Sequence, residues 1–318
     1  MNSHASEQGQ RRVLVVTHTG RAAASEVSAA FIERIGAAGI RARILSDEAP
    51  SIAKYGIDDI ETCPADENAA TDCELVVVFG GDGTILRGTE LARYAETPLL
   101  GVNLGHVGFL AESDVDDLDI TVDHVVARKY TVEERLSIDV DVSVDGQVVA
   151  STWALNEAAV EKAARERMLE VVAGVDGLPL SRWGCDGVVC ATPTGSTAYS
   201  FSAGGPIVWP DVEALVMVPI SAHALFARPM VVSPDSTLAI EVLAGTLGSG
   251  VLWCDGQRTF ELPPGARVEV RRGTHPVRLA RLHRATFTDR LVRKFELPVS
   301  GWRGRRSDPA SPETPETL

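Results

Sequence analysis

The run Gly80-Gly81-Asp82-Gly83-Thr84 follows a fully apolar stretch, LVVVF at 75–79, and precedes a segment with helical spacing. Glycines in that place let backbone N–H groups approach a phosphate with no Cβ in the way, and they give access to positive φ. A helix starting there aims the positive end of its dipole at the same anion. Asp82 does not fit a pure phosphate cradle, because a carboxylate repels phosphate. It needs a task of its own, either accepting the proton of an attacking hydroxyl or holding a divalent cation. The simpler reading is a plain Asp-Gly turn, and that reading suffices for Asp145-Gly146 and Asp176-Gly177, each set between alternating strands. For 80–84, at the carboxyl end of a buried strand, the functional reading is the stronger.

Two further segments could bind a nucleotide. Residues 185–206, CDGVVCATPTGSTAYSFSAGGP, are dense in hydroxyls and glycine and are flanked by apolar strand signals, so they read as a buried binding loop rather than a linker. Backbone amides and Ser/Thr oxygens there can wrap a nucleotide, with Tyr199 offering a ring for stacking. Asn156 and Glu157 interrupt an apolar strand: an Asn amide can pair with an adenine edge and a carboxylate can accept from ribose hydroxyls, although a solvated strand face explains the dipeptide equally well. Other fingerprints are missing. There is no GxxxxGK[ST], no GxGxxG after the first strand, no GxSxG and no HExxH, and the seven histidines are scattered.

The elements that must position these residues change character along the chain. RVLVVT at 12–17, a helical stretch over 22–38, a strand over 41–45, LVVVF at 75–79 and PLLGVN from Pro98 alternate as in a doubly wound α/β domain. After Tyr130 the period becomes two, with Ile138, Val140, Val142 and Val144 alternating with polar residues and Asp-Gly turns recurring, so the second domain reads as β-rich and sandwich-like. TFTDRLVRKFEL at 286–297 spaces Phe287, Leu291 and Phe295 as one helix face, and this helix is expected to return to the first domain. The expected division is an α/β domain over 12–130, a β-rich binding and oligomerisation domain over 131–285, a returning helix over 286–303, and disordered tails at 1–11 and 304–318.

Composition narrows the function. Lys+Arg number 30 against 44 Asp+Glu, a formal net charge of -14 over 318 residues, which argues against a duplex nucleic-acid binder and a polybasic membrane anchor. No apolar stretch reaches the ~20 residues a bilayer span requires, and the polar N-terminus lacks a secretory signal. Five cysteines without framework spacing read as reduced thiols, and the expected location is cytoplasmic.

Together, GGDGT at 80–84, Asn156-Glu157 and the TPTGSTAYSFSAGGP run at 192–206 resemble the NAD kinase family, in particular its actinobacterial members, over about residues 12–303. NLGHVGFLAE at 103–112, HALFARPMVV at 223–232 and CDGQ at 254–257 are similar to further family segments. The GGDGT loop alone is shared with lipid kinases, but those pair it directly with Asn-Glu, an arrangement this chain lacks. A non-catalytic NAD sensor is the other alternative, and it has no use for a carboxylate in the phosphate loop.

The resemblance implies ATP-dependent phosphorylation of the 2′-hydroxyl of the adenosine ribose of NAD, with inorganic polyphosphate left open as a second donor, and a divalent cation, most simply Mg²⁺. It implies Asp82 as the proton acceptor, Gly80, Gly81, Gly83 and Thr84 as the phosphate loop, and Arg87 offsetting phosphate charge. Asn156 and Glu157 match the adenosine-binding pair, and Asp186 a carboxylate at the nicotinamide end. Thr197, Ala198, Tyr199, Ser200, Phe201 and Ser202 match the loop around adenine and ribose. Arg167 and Gln257 fall at less stereotyped positions. The implied assembly is a homodimer or homotetramer, and no metal ligand is assigned.

Overall fold

The computed structural model describes residues 10–57, 60–104, 108–114, 117–164, 167–246, 248–282 and 286–299. In chain order the strands begin with β1 (Arg12–Thr17), β2 (Arg41–Leu45), β3 (Glu61–Cys63), β4 (Leu75–Phe79), β5 (Leu99–Asn103), β6 (Ser113–Asp114) and β7 (Thr131–Arg135). Next come β8 (Ile138–Val144), β9 (Gln147–Ala154), β10 (Glu157–Lys162), β11 (Leu169–Val175), β12 (Leu178–Cys185), β13 (Gly187–Ala191) and β14 (Leu215–Ile220). The last are β15 (Met230–Val232), β16 (Leu238–Val242), β17 (Gly250–Cys254), β18 (Arg258–Leu262), β19 (Arg267–Arg272) and β20 (Val277–Arg281). The helices are α1 (Ala22–Ala37), α2 (Ala49–Ala53), α3 (Asp82–Ala92), α4 (Leu118–Val126), α5 (Tyr199–Ser202) and α6 (Phe287–Phe295). None is long and apolar enough to cross a membrane.

The first sheet runs β3-β2-β1-β4-β5-β20-β7, with β6 off the far side of β5. Every pairing is parallel except β20 with β7. Its central strands are apolar on both faces because both are covered. Val13 and Val15 of β1 meet Phe31 and Ile35 of α1 and Val125 of α4, whereas Leu14 and Val16 face Ile85, Leu86 and Leu91 of α3. The expected doubly wound domain is therefore present.

The second unit is a sandwich of two six-stranded antiparallel sheets, β15-β14-β13-β10-β17-β18 and β12-β11-β16-β19-β8-β9. Alternate residues of each strand fill the space between them, among them Val140, Val160, Val171, Trp183, Met217, Ile240 and Leu252. The three Asp-Gly turns hold Asp145, Asp176 and Asp255 at φ 51, 51 and 52, the left-handed conformation of a tight hairpin.

Two expectations are corrected. The boundaries at 130/131 and 285/286 do not separate the sheets, since β7 and β20 belong to the first one. Alternation marks a strand without saying which sheet it joins, and the polar TVEER run sits at an edge, where its side chains meet water. The N-terminal tail is also ordered from Gln10 onward in the described structure: Arg11 holds Glu74 at 2.6 Å and the carbonyls of Val125 and Val126. The remainder of both tails lies outside the described residues. The helix expected at 286–297 runs from Phe287 to Phe295, capped by Thr286 and Asp289 in a reciprocal capping box and ended by Glu296 at φ 49.

Gly88 seats α3 on the sheet. A Cβ there would lie 2.6 Å from Val78 Cγ2 and 2.8 Å from Leu99 Cδ1. Gly88→Ala is therefore expected to cost about 1–3 kcal/mol in urea unfolding through overpacking, although the same exchange on an exposed helix gains about 1 kcal/mol. An unchanged midpoint would mean that α3 does not approach β4 this closely.

Candidate active site

In the order β3-β2-β1-β4-β5 the chain reverses its direction of winding between β1 and β4, so the loops leaving those two strands part and open a crevice at their carboxyl ends. His18, Thr19 and Arg21 after β1 face Gly81, Gly83, Thr84 and Arg87 after β4 across a cleft of about 450 Å³. Helices α1 and α3 both begin at its walls, so two sets of unpaired helix N–H groups open on it. Gln257, from the second unit, closes one side and donates to the carbonyl of Gly83 at 3.1 Å.

The loop glycines serve proximity rather than left-handed geometry. None of Gly80, Gly81 and Gly83 takes left-handed φ, contrary to the sequence expectation, and Gly81 is extended at φ -87, ψ -176. A Cβ on Gly80 would lie 2.4 Å from Thr84 Oγ1, whereas Gly81 and Gly83 have no atom of the described residues within 4 Å of that position. The open space at the latter two is where a phosphate can reach the main chain.

Asp82 occupies the first turn of α3, its carboxylate 3.4 Å from the backbone nitrogens of both Phe109 and Leu110. Arg87 lines the cleft, but its guanidinium is shared between Asp47 at 3.0 Å and Glu48 at 2.9 Å. Glu48 is buried and accepts from the Thr17 amide at 2.7 Å. Burial pushes its carboxyl up to about 7, against the pull of that amide and of Arg87. Sequence reasoning missed Glu48, whose role appears only once β2 is placed beside β1. It also dismissed His18, although a residue leaving the first strand of a doubly wound sheet is a positional signal for a ligand.

The Asn156-Glu157 bend is built by Asp255. That buried carboxylate accepts from the amides of Leu155, Asn156 and Glu157 at 2.8, 2.7 and 3.3 Å and pairs with Arg258 at 3.1 Å. The binding loop is bolted to the same bend: Thr192 Oγ1 donates to Leu155 O at 2.6 Å, and the Thr192 amide donates to Asn156 O at 2.9 Å. Gly195 is required there, since a Cβ would fall 1.9 Å from Asn156 O.

Glu157 is 7% exposed and its Oε2 has no hydrogen-bond partner among the described residues. Burial, reinforced by the Asp255 charge, raises its carboxyl to about 8 despite a bond from the Tyr199 amide. Ser200 Oγ, fully buried, also lacks a partner among the described residues. The Tyr199 hydroxyl bonds Glu161, and burial together with that bond pushes it up to about 12. Thr197 shares with Phe109 a second cavity of about 620 Å³. Ala198 is half-buried, Ser202 is exposed at the end of α5, and the Phe201 ring packs on Phe295 at 4.6 Å.

Asp186 sits at the other end of β10, paired with Lys162 at 2.6 Å. At about 3.3 Å per residue, the five steps from Glu157 to Lys162 span roughly 16 Å, the scale of an extended dinucleotide. Arg167 is exposed on the connection from β10 to β11, its Cβ 3.9 Å from where a Cβ on Gly248 would lie.

The ATP-NAD kinase N-terminal domain family matches residues 18–130, and the ATP-NAD kinase C-terminal domain family matches residues 155–282. The chain belongs to the NAD kinase family. It is a phosphotransferase that converts NAD to NADP. NAD kinase 2 of Streptomyces coelicolor is 60% identical over 295 residues, covering 92% of this chain and 97% of that one. The NAD kinase of Thermobifida fusca is 59% identical over 310 residues, covering 96% and 95%. Among solved structures, yeast NADH kinase complexed with NADH shares the fold at TM-score 0.84 and 23% identity over 96% of this chain and 95% of that one. An NAD kinase from Archaeoglobus fulgidus in complex with ATP superposes at TM-score 0.60 and 25% identity, covering 85% and 92%.

In this NAD kinase the raised Glu157 carboxyl has a measurable consequence. Between its unfolded value of about 4.5 and its folded value of about 8, the native state holds a proton that the unfolded chain has released. Its contribution to stability is therefore complete at low pH and is lost as pH rises through 8. Glu157→Gln, uncharged throughout, is expected to melt at a higher temperature than the parent at pH 9 and at a similar one at pH 5. Parallel melting curves across that range would contradict the buried, unpaired placement of Glu157.

Proposed function

We propose that Asp82 is the proton acceptor, with ATP in the cleft on its glycine side and NAD along β10 on the other. The observation that carries this reading is the placement of Asp82: the open glycines Gly81 and Gly83 and two helix N-termini lie on one side, and Phe109 with the Thr197 loop lies on the other. The donor ATP lies along the glycine side, its phosphates against the loop amides, Thr84, His18 and Arg21, with Arg87 adding what charge Asp47 and Glu48 leave it. NAD lies along β10, its adenosine between Asn156, Glu157 and residues 197–202 and its nicotinamide end toward Asp186, while Gln257 braces the Gly83 carbonyl between the two sites. Arg167 acts only from the periphery.

In the transfer the 2′-hydroxyl gives its proton to the Asp82 carboxylate as the oxygen attacks the terminal phosphorus. A P–O bond forms to the 2′-oxygen, the bond to the bridging oxygen breaks, and ADP leaves. The transition state is loose, so alignment and charge neutralisation are the protein's main tasks. The donor set fits Mg²⁺: one half-exposed carboxylate beside an open phosphate cradle suits a small cation that takes most of its ligands from phosphate and water. When bound, Mg²⁺ neutralises phosphate charge. The enzyme is read as cytoplasmic. Its exposed edge strands β9 and β12, with Val148, Val149, Leu178 and Leu180 outward, support a homodimer or homotetramer.

Asp82→Asn is expected to fold and bind NAD but to lose roughly 10²-fold or more in kcat. An assay of NADP formation with NAD, ATP and Mg²⁺ tests this, and turnover near the parent's would remove Asp82 from the mechanism. Replacing ATP by inorganic polyphosphate in the same assay decides the donor. ATP affinity is expected to fall at least about tenfold when Mg²⁺ is chelated, and titrations indifferent to the metal would count against the cleft as drawn.

A further inference from the structure

We propose that Arg290 of α6 is a positioning residue for the phosphoryl transfer, acting through the main chain of residues 109–112 on the carboxylate of Asp82. This rests on the reading of Asp82 as proton acceptor. Arg290 Nη1 donates to the carbonyl oxygens of Phe109 at 3.0 Å and Ala111 at 2.8 Å, and its Nη2 pairs with Glu112, whose side chain is fully buried. Arg281 on β20 grips the same segment, donating to Leu110 O at 3.2 Å and to Glu112 Oε2 at 3.1 Å. The Glu112 amide anchors the end of the segment to Gly101 O on β5 at 2.8 Å. Three successive carbonyls are thus held by two guanidinium groups, and the amides of Phe109 and Leu110 are left on the Asp82 carboxylate, each at 3.4 Å.

Gly108, which opens the same segment, also crowds the carboxylate. A Cβ on Gly108 would lie 2.3 Å from Asp82 Oδ1, so a small shift of this segment moves the carboxylate with it. Helix α6 is a firm mount: its capping box fixes the first turn, Leu291 is buried, and Phe287 and Phe295 pack on the Phe109 ring at 6.1 and 5.8 Å.

Mere attachment of a terminal helix does not call for this arrangement. Burying two arginines around one glutamate is a poor source of stability compared with apolar packing, and burial and the neighbouring Arg281 lower the Arg290 pKa. What a guanidinium supplies, and an apolar side chain or a lysine does not, is a planar fork that fixes two carbonyls and a carboxylate at set angles. Oriented reacting groups lose on the order of 10²-fold in rate when misplaced by about 1 Å.

The test is a double-mutant cycle of Arg290 with Asp82, read as kcat and KM for NADP formation by the full chain. Arg290→Ala is expected to lower kcat roughly 10–100-fold while KM for ATP changes by less than about 3-fold. If Arg290→Ala does not fold, Arg290→Lys, which keeps the charge and loses the fork, carries the test, with a kcat loss of roughly 10-fold. In an Asp82→Asn background the same Arg290 change is expected to alter kcat by less than about 2-fold, because the group it positions is gone. An equal loss in both backgrounds, or a Lys variant with parental kcat, overturns the positioning role alone. An Asp82→Asn enzyme with parental turnover overturns both this proposal and the reading of Asp82.

Discussion

The buried carboxylate of Asp255 fixes the bend between β9 and β10 and, through Arg258, ties it to α3 of the first unit. It sits in a left-handed turn between β17 and β18, where desolvation opposes its charge, and three consecutive amides and Arg258 oppose that penalty. Those amides belong to the bend that carries Asn156 and Glu157, so one side chain sets the direction in which both point. Arg258 passes the constraint on: it pairs with Glu90 of α3, donates to Trp153 O at 2.8 Å and lies over the Trp153 ring at 4.7 Å. Arg93, which caps the end of α3, covers the same ring at 4.4 Å. The helix that begins at Asp82 and the strand that begins at Glu157 are therefore clamped around one indole, across the boundary between sheets. Multidentate recognition of a carboxylate and stacked guanidinium groups are directional, which apolar contact is not.

Strand β10 is asymmetric for the same reason. Ala158 and Val160 turn into the sandwich core, and Glu157, Ala159 and Glu161 turn the other way, beneath the loop that contains Tyr199 and Ser200. A strand with apolar residues on one side and two acids on the other would ordinarily face those acids to water. Here the loop covers them, leaving Glu157 Oε2 and Ser200 Oγ buried and without a partner among the described residues. Native structures rarely keep such groups without use. A ligand that supplies donors to Glu157 relieves the desolvation that raises its pKa, so binding and deprotonation of that carboxyl are coupled.

The doubly wound class and the place of the glycine loop were legible because the fully apolar β4 and the glycines after it are local signals that follow from the backbone itself. The Thr192–Pro206 stretch was legible for a similar reason, its density of hydroxyls between two buried strands. What escaped depends on long-range contacts that leave no local pattern. Asp255 reads as one more Asp-Gly turn, and only the arrival of residues 155–157, a hundred positions earlier, separates it from Asp145 and Asp176. Arg87 reads as a phosphate ligand until Asp47 and Glu48 come beside it. Strand β20 carries the same alternation as its neighbours while β7 is mostly polar, and the sheet they join is decided by which edge is left open beside β5. The glycines at 80, 81 and 83 were read for the right place and partly for the wrong reason, since space rather than handedness selects them.

On the proposed placement of ATP, the cleft sets an anionic substrate against a chain of net charge -14. Its bulk field repels ATP, and Arg87 cannot reverse that alone, because Asp47 and Glu48 already share its charge. Glu48 softens the conflict: its carboxyl titrates near 7, so near neutrality it is partly protonated and leaves Arg87 less compensated. A phosphate drawing Arg87 away would favour that protonation further, linking donor binding to proton uptake. The remaining attraction is short-ranged, from helix N-termini and loop amides that act within a turn of the chain. Such a site binds poorly at a distance and well at contact. A divalent ion carried in with the phosphates suits this design better than a fixed cluster of lysines, because it neutralises the ligand before the acidic surface can repel it.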